Sequence, residues 1–227
     1  MLVNQQKTHI VVSKLPRNED YLTNYDGYVV TTEHFDLANP VTKVDDIPDH
    51  EMYSQTIDSL NKRFGNRVLK VIEIGYIVSE KDWIIDYLAD KDYDLKLLSV
   101  HHNGQFDYLD DEVKDMDPAI VIPQYFAQLS EALVVIEADV FAHFDYGFRV
   151  FGLSVAEFKQ YEAEFLPILD QVIKNKLAFE LNAKSAYLYD NLALYEYAIG
   201  LYISRGGTLF SVGSDGYYLE HFPFPFR

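Results

Sequence analysis

The chain has 227 residues, 48% of them hydrophobic and 15% aromatic, which is enough for a sizeable core and a normal length for one α/β barrel. Its net charge of −17 repels phosphate backbones, so nucleic acid and anionic membranes are not expected partners, and the absence of cysteine excludes disulfides and thiolate zinc sites. It has no run of about 18 apolar residues and no signal-like apolar segment at its start, so the reading is a cytoplasmic protein with no membrane span.

Seven short apolar or β-branched runs read as buried strands. Thr8–Val12 carries His9, and Tyr28–Thr32 runs into Glu33 and His34. A helix is predicted over Glu51–Phe64, where Met52, Ile57 and Leu60 share one face. Val68–Ile72 then runs into Glu73, and Glu80–Leu88 reads as the second helix. Leu95–Val100 leads to His101 and His102. The acidic runs Asp45–Glu51 and Asp107–Asp117 read as solvated loops.

Asp117 as N-cap and Pro118 in the first turn open a helix to Ile136, striped with Phe126, Leu129, Leu133 and Ile136. Asp139–Ala142 runs into His143. Ser154 and Glu157 have capping-box spacing before a helix predicted to Ile173. Leu177–Phe179 runs into Glu180 and Asn182. The last helix, Asn191–Ser204, stops at Gly206 and Gly207. Thr208–Val212 ends at Gly213, Ser214 and Asp215, and the tail Phe222–Phe226 is expected to pack over a barrel end.

Helices separate most of the strands, so the strands are expected to be parallel and to form a single barrel domain over residues 1–227. The C-terminal strand ends of such a barrel converge on one face. His9, His34, Glu73, His101, His143 and Asp215 would meet there, as a site for more than one metal ion. Strand alternation turns His102 to the opposite side from His101, and His50 lies in an acidic loop, so both read as ordinary polar residues.

Six segments then occur in order: Thr31-Thr32-Glu33-His34, Ile72-Glu73-Ile74-Gly75, Ser99-Val100-His101, Ala142-His143-Phe144-Asp145, Glu180-Leu181-Asn182 and Gly213-Ser214-Asp215. From about Tyr21 to His221 the chain resembles the polymerase-and-histidinol-phosphatase (PHP) superfamily, in its histidinol-phosphatase branch. The resemblance implies a distorted (β/α)7 TIM-like barrel, two to three divalent ions (zinc, iron or manganese), and a phosphomonoester substrate. The type reaction converts L-histidinol phosphate to L-histidinol in histidine biosynthesis. On this resemblance the catalytic residues are Glu73, Asp215 and His143. Glu73 bridges two ions, His9 and Asp215 share the first, His101 and His143 hold the second, and His34 holds the third. Arg149, Lys184 and Asn182 fall at substrate-binding positions, although Arg149 also suits an ordinary surface salt bridge and Lys184 an ordinary solvated lysine. Asp145 suits a partner that orients His143.

Two motifs depart from the family pattern. Its first, Asp-x-His-x-His, is matched here by Gln5, Lys7 and His9, and its last, Gly-Ser-Asp-x-His, ends here in Tyr217. An ammonium group does not ligate metal while protonated. A second reading is therefore a degenerate barrel that binds metal or a phosphorylated ligand with little or no catalysis. A third, nuclease activity, conflicts with the net charge.

Overall fold

The computed structural model describes residues 27–216 and, before them, 10–13, 19 and 22–23. Seven strands form one all-parallel sheet in sequential order: β1 (Ile10–Ser13), β2 (Val29–Asp36), β3 (Val68–Gly75), β4 (Leu95–Ser99), β5 (Val140–Phe141), β6 (Ala178–Asn182) and β7 (Phe210–Gly213). Each overlaps one of the seven apolar runs. The sheet curls, and β1 approaches β7, but no ladder joins those two among the described residues.

Helices connect the strands from β2 onward, as parallel pairing requires. The first, α1 (His50–Phe64), is capped by Asp49, which accepts from Met52 N at 2.9 Å, and ends at Gly65 in the left-handed region. It buries Tyr53, Ile57 and Leu60, while Met52 is exposed. After β3 comes α2 (Lys81–Leu88), and after β4 comes α3 (Pro118–Val135), with Asp117 as N-cap. By length and hydropathy α3 could cross a membrane, although no apolar run of that kind stood out in the sequence. In the fold, Ile122, Tyr125, Phe126, Leu129 and Leu133 on α3 are buried in the core.

The helix expected from Ser154 to Ile173 is broken. The capping box forms and starts α4 (Val155–Phe158); a 3₁₀ turn at Lys159–Tyr161 then re-aims the chain into α5 (Glu162–Lys174). The break lets Phe158 and Phe165 both reach the Phe126 and Phe144 rings, and lie 5.3 Å from each other. Two more helices, α6 (Ala183–Leu188) and α7 (Leu192–Ser204), precede β7.

Strand alternation sorts the core into two layers. Phe35, Ile72, Ile74, Leu98, Phe141 and Phe179 face the helices and belong to the main core. Val30, Val71, Leu97, Val140 and Ala142 form a small separate cluster on the concave side of the sheet. Residues in phase with that second set, further along the same strands, are His34 and Asp36 on β2, Glu73 on β3, and Ser99 and His101 at the end of β4. The pleat that builds the apolar floor therefore also delivers the polar residues above it.

Candidate metal centre

The polar residues meet in a cleft of about 260 Å³ at the C-terminal ends of the strands, lined among others by His34, Asp36, Glu73, His101, Asp107, His143, Tyr146, Lys184 and Asp215. Glu73 is central. Its Oε1 lies 3.0 Å from His101 Nε2 and 2.7 Å from His143 Nε2, and its Oε2 lies 3.5 Å from His34 Nε2. One ligand atom from each of Glu73, His101 and His143 fits within 4.8 Å of the others, and all three residues are buried.

Asp36 extends the chain of contacts. Its Oδ1 is 2.6 Å from His101 Nδ1, so one imidazole is held between two carboxylates. Burial pushes His101 down, but Asp36 and Glu73 outweigh it and raise the imidazole well above its usual range. Burial pushes Asp36 and Glu73 up, yet the histidines overturn this and leave both carboxyls lowered, Glu73 well below its usual range. Glu180 differs: burial raises its carboxyl, and its nearest partners are the backbone N–H of His143, donating at 2.8 Å, and the Asn182 amide.

These donors fit a divalent ion. Two imidazoles and a carboxylate suit zinc, iron or manganese. Without an ion, the two Nε2 atoms can share one Glu73 oxygen only by carrying protons. A cation takes over that neutralising role, with Asp36 behind His101 in the position of an outer carboxylate that fixes ring orientation. The other ring nitrogen of His143, Nδ1, is buried without a hydrogen-bond partner.

The remaining expected site residues are distributed unevenly. Asp215 lies in the cleft, but both its oxygens already meet donors: Lys184 Nζ is 3.2 Å from Oδ1, and Asn182 Nδ2 is 3.5 Å from Oδ2. Lys184 is thus part of the cleft rather than a solvated surface lysine. Asn182 caps α6 through its Oδ1 and is buried beneath Glu180 and Asp215. His9 lies outside the described residues, as do Gln5, Lys7, Tyr217, His221 and the tail Phe222–Phe226.

Arg149 is neither a surface ion pair nor a wall of the cleft. It is buried, donates to Asp145 through Nε and Nη2 at 3.3 Å each, and has the Tyr146 and Tyr189 rings over its guanidinium at 5.4 and 5.0 Å. Asp145 does not orient His143, as its place in the motif suggested. Its carboxylate is spent on Arg149, Ser185, Asn191 at 2.9 Å and Tyr195 at 2.8 Å. His102 does turn away from the cleft, and His50 pairs with Asp92 at 3.1 Å. Asp107, expected in a solvated loop, lines the cleft, and burial raises its carboxyl.

Sequence reading missed Asp36, Asp107 and Tyr146. Asp36 carried a signal: it stands two residues after His34, so it faces the same way on a strand. Tyr146 packs its ring 4.8 Å from that of His101 and 5.1 Å from that of His143, and nothing in its spacing announced this.

A sequentially ordered parallel sheet that curls round a floor of aliphatic side chains, with imidazoles and carboxylates gathered at its C-terminal rim, is a TIM-like α/β architecture. Among solved structures the chain is similar to histidinol phosphate phosphatase (HISK) from Lactococcus lactis subsp. lactis Il1403, crystallised with zinc, L-histidinol and phosphate. The TM-score is 0.78 at 19% sequence identity, over 92% of this chain and 86% of that one. No protein-family model and no curated sequence matches the chain.

Proposed function

We propose that the chain is a metal-dependent phosphomonoester hydrolase, built as one distorted (β/α)7 barrel domain over residues 1–227, that acts on L-histidinol phosphate in the cytoplasm as a step of histidine biosynthesis. The observation that carries this reading is the convergence of Glu73, His101 and His143 at the rim of a fold shared with a histidinol phosphate phosphatase. In this reading Glu73, His101 and His143 hold one divalent ion of two to three, with His34 beside them and Asp215 at a further position; His9 comes before β1 begins at Ile10, whereas the cleft lies where the strands end, so it is not counted among the ligands.

A bound divalent ion supplies Lewis acidity toward phosphoryl oxygen and lowers the pKa of water at neutral pH. The chain's own residues do the rest. Asp36 orients His101 through Nδ1. Glu180 fixes the backbone of His143. Lys184 brings positive charge to the cleft, where a phosphate ester needs it. The aliphatic floor lies beneath the cluster, and the Tyr146 ring packs beside His101. Arg149 is packed behind Tyr146 and Tyr189 and paired with Asp145, so in this reading it supports the turn after β5 and does not contact phosphate.

The test is phosphate release from L-histidinol phosphate by protein loaded with zinc or manganese, set against the same protein after chelation. Release that depends on metal supports the enzyme. Metal binding without release supports the degenerate barrel instead, a reading favoured by Gln5, Lys7 and Tyr217 at family ligand positions.

A further inference from the structure

The two ends of the cleft are not equivalent. At one end, ring nitrogens of His101 and His143 and an oxygen of Glu73 point at one another and hold together only if protons or a cation lie between them. At the other end Asp215 already has a cationic partner among the described residues. Asp215 Oδ1 accepts from the Lys184 ammonium at 3.2 Å, and Oδ2 faces the Asn182 amide at 3.5 Å. Both partners are fixed from the same place in the chain: Asn182 ends β6 and caps α6, and Lys184 lies in the first turn of that helix. An ion approaching Asp215 would share the carboxylate with a charge-assisted hydrogen bond and stand next to an ammonium group of like sign. Among the described residues, the metal-type cluster that forms is the Glu73 one, without Asp215.

We propose that the Lys184 ammonium stands in for a metal ion beside Asp215, so that this chain gathers its metal around Glu73, His101 and His143 and supplies the cation at the Asp215 end itself. The proposal rests on the metal-dependent reading above. It moves Lys184 from the substrate-binding role to the neutralisation of Asp215, and it withdraws Asp215 from the metal ligands.

The experiment is zinc stoichiometry, by elemental analysis of chelator-stripped and zinc-reloaded full-length protein after gel filtration. K184M keeps an unbranched stem and removes the charge. D215N removes the carboxylate charge and keeps a residue that tolerates the left-handed backbone found at this position (φ 48°). The expected result is that D215N alone binds as much zinc as the native chain. K184M should bind roughly one further ion per chain, and K184M/D215N together should lose that gain. A native-like zinc content in folded K184M, or a loss of zinc in D215N alone, overturns the proposal. If K184M does not fold, the zinc content of D215N still decides. Phosphate release is measured in parallel: the expected stoichiometries without turnover would uphold the Lys184 assignment while removing the phosphatase reading.

Discussion

The Asp36 carboxylate sits 2.6 Å from Nδ1 of His101, and that single contact aims the opposite ring nitrogen at Glu73. Asp36→Asn keeps the shape and weakens the acceptor. Partners of this kind typically contribute about 10–100-fold in metal affinity. Zinc affinity of D36N, measured by competition with a chromophoric chelator, should fall within that range; an unchanged affinity would show that Asp36 does not tune the centre.

Gly75 makes the Asp36 contact possible. The two residues are register partners on β2 and β3, and a β-carbon built on Gly75 would stand 1.8 Å from Asp36 Oδ1 and 3.1 Å from His101 Nδ1. Gly75→Ala should therefore displace the carboxylate and lower zinc affinity at least as much as D36N does. In the D36N background the same glycine change should cost little more, because the contact it disrupts is already weakened. A double-mutant cycle with additive losses would argue for two independent effects.

The ion-free cluster ties stability to pH in both directions. Asp36 and Glu73 are held below their usual values of 3.8 and 4.5, so their contribution is present above those values and is lost as pH falls through the lowered ones. His101 is held above 6.5, so its contribution is complete below 6.5 and is lost as pH rises through the raised value. Metal needs neutral imidazole and strengthens in that same upper range. Melting temperature followed from about pH 5 to about pH 9 should show the stabilisation by zinc growing with pH. A zinc effect independent of pH would mean that His101 does not exchange a proton for the ion.

His143→Ala removes one donor of the cluster and keeps the backbone N–H that residue 143 gives to Glu180. Zinc content and phosphate release should fall together, activity by more than about 100-fold, since a direct ligand counts for more than the outer partners that contribute 10–100-fold. Native metal content in H143A would remove this residue from the centre.

Asp145 accepts from Arg149, Ser185, Asn191 and Tyr195 with no exposed surface of its own. Asp145→Ala leaves Arg149 buried without a counter-charge, which typically costs about 3–5 kcal/mol. Chemical denaturation should show a loss of that size; a loss under about 1 kcal/mol would mean that water or a rearranged partner replaces the carboxylate.

Much of this arrangement was legible in the residues. Runs such as Val68–Ile72 and Leu95–Val100 announce strands because both faces are buried, and the histidines after them fall at the rim because strands end there. The same logic hid Asp36. Polar site residues interrupt the apolar pattern, so β2 read as stopping at Thr32 although its ladder continues to Asp36. The α6 helix was missed because Asn182 is both the last residue of β6 and the helix cap, leaving no loop to mark the change. Arg149 was misplaced because sequence shows a charge but not its burial, and only the packing of α6 and α7 against the turn after β5 brings Ser185, Asn191 and Tyr195 to Asp145.

Among the described residues, Val30, Val71, Leu97, Val140 and Ala142 close the inner end of the cleft. Whatever binds against Glu73 must leave by the mouth through which it came, so traffic is single-file. Under the phosphatase reading proposed above, a phosphate held against Glu73 would sit deeper than its alcohol, and the expected order of departure is alcohol first, phosphate last. Inorganic phosphate should then compete directly with the incoming ester, whereas the alcohol should not.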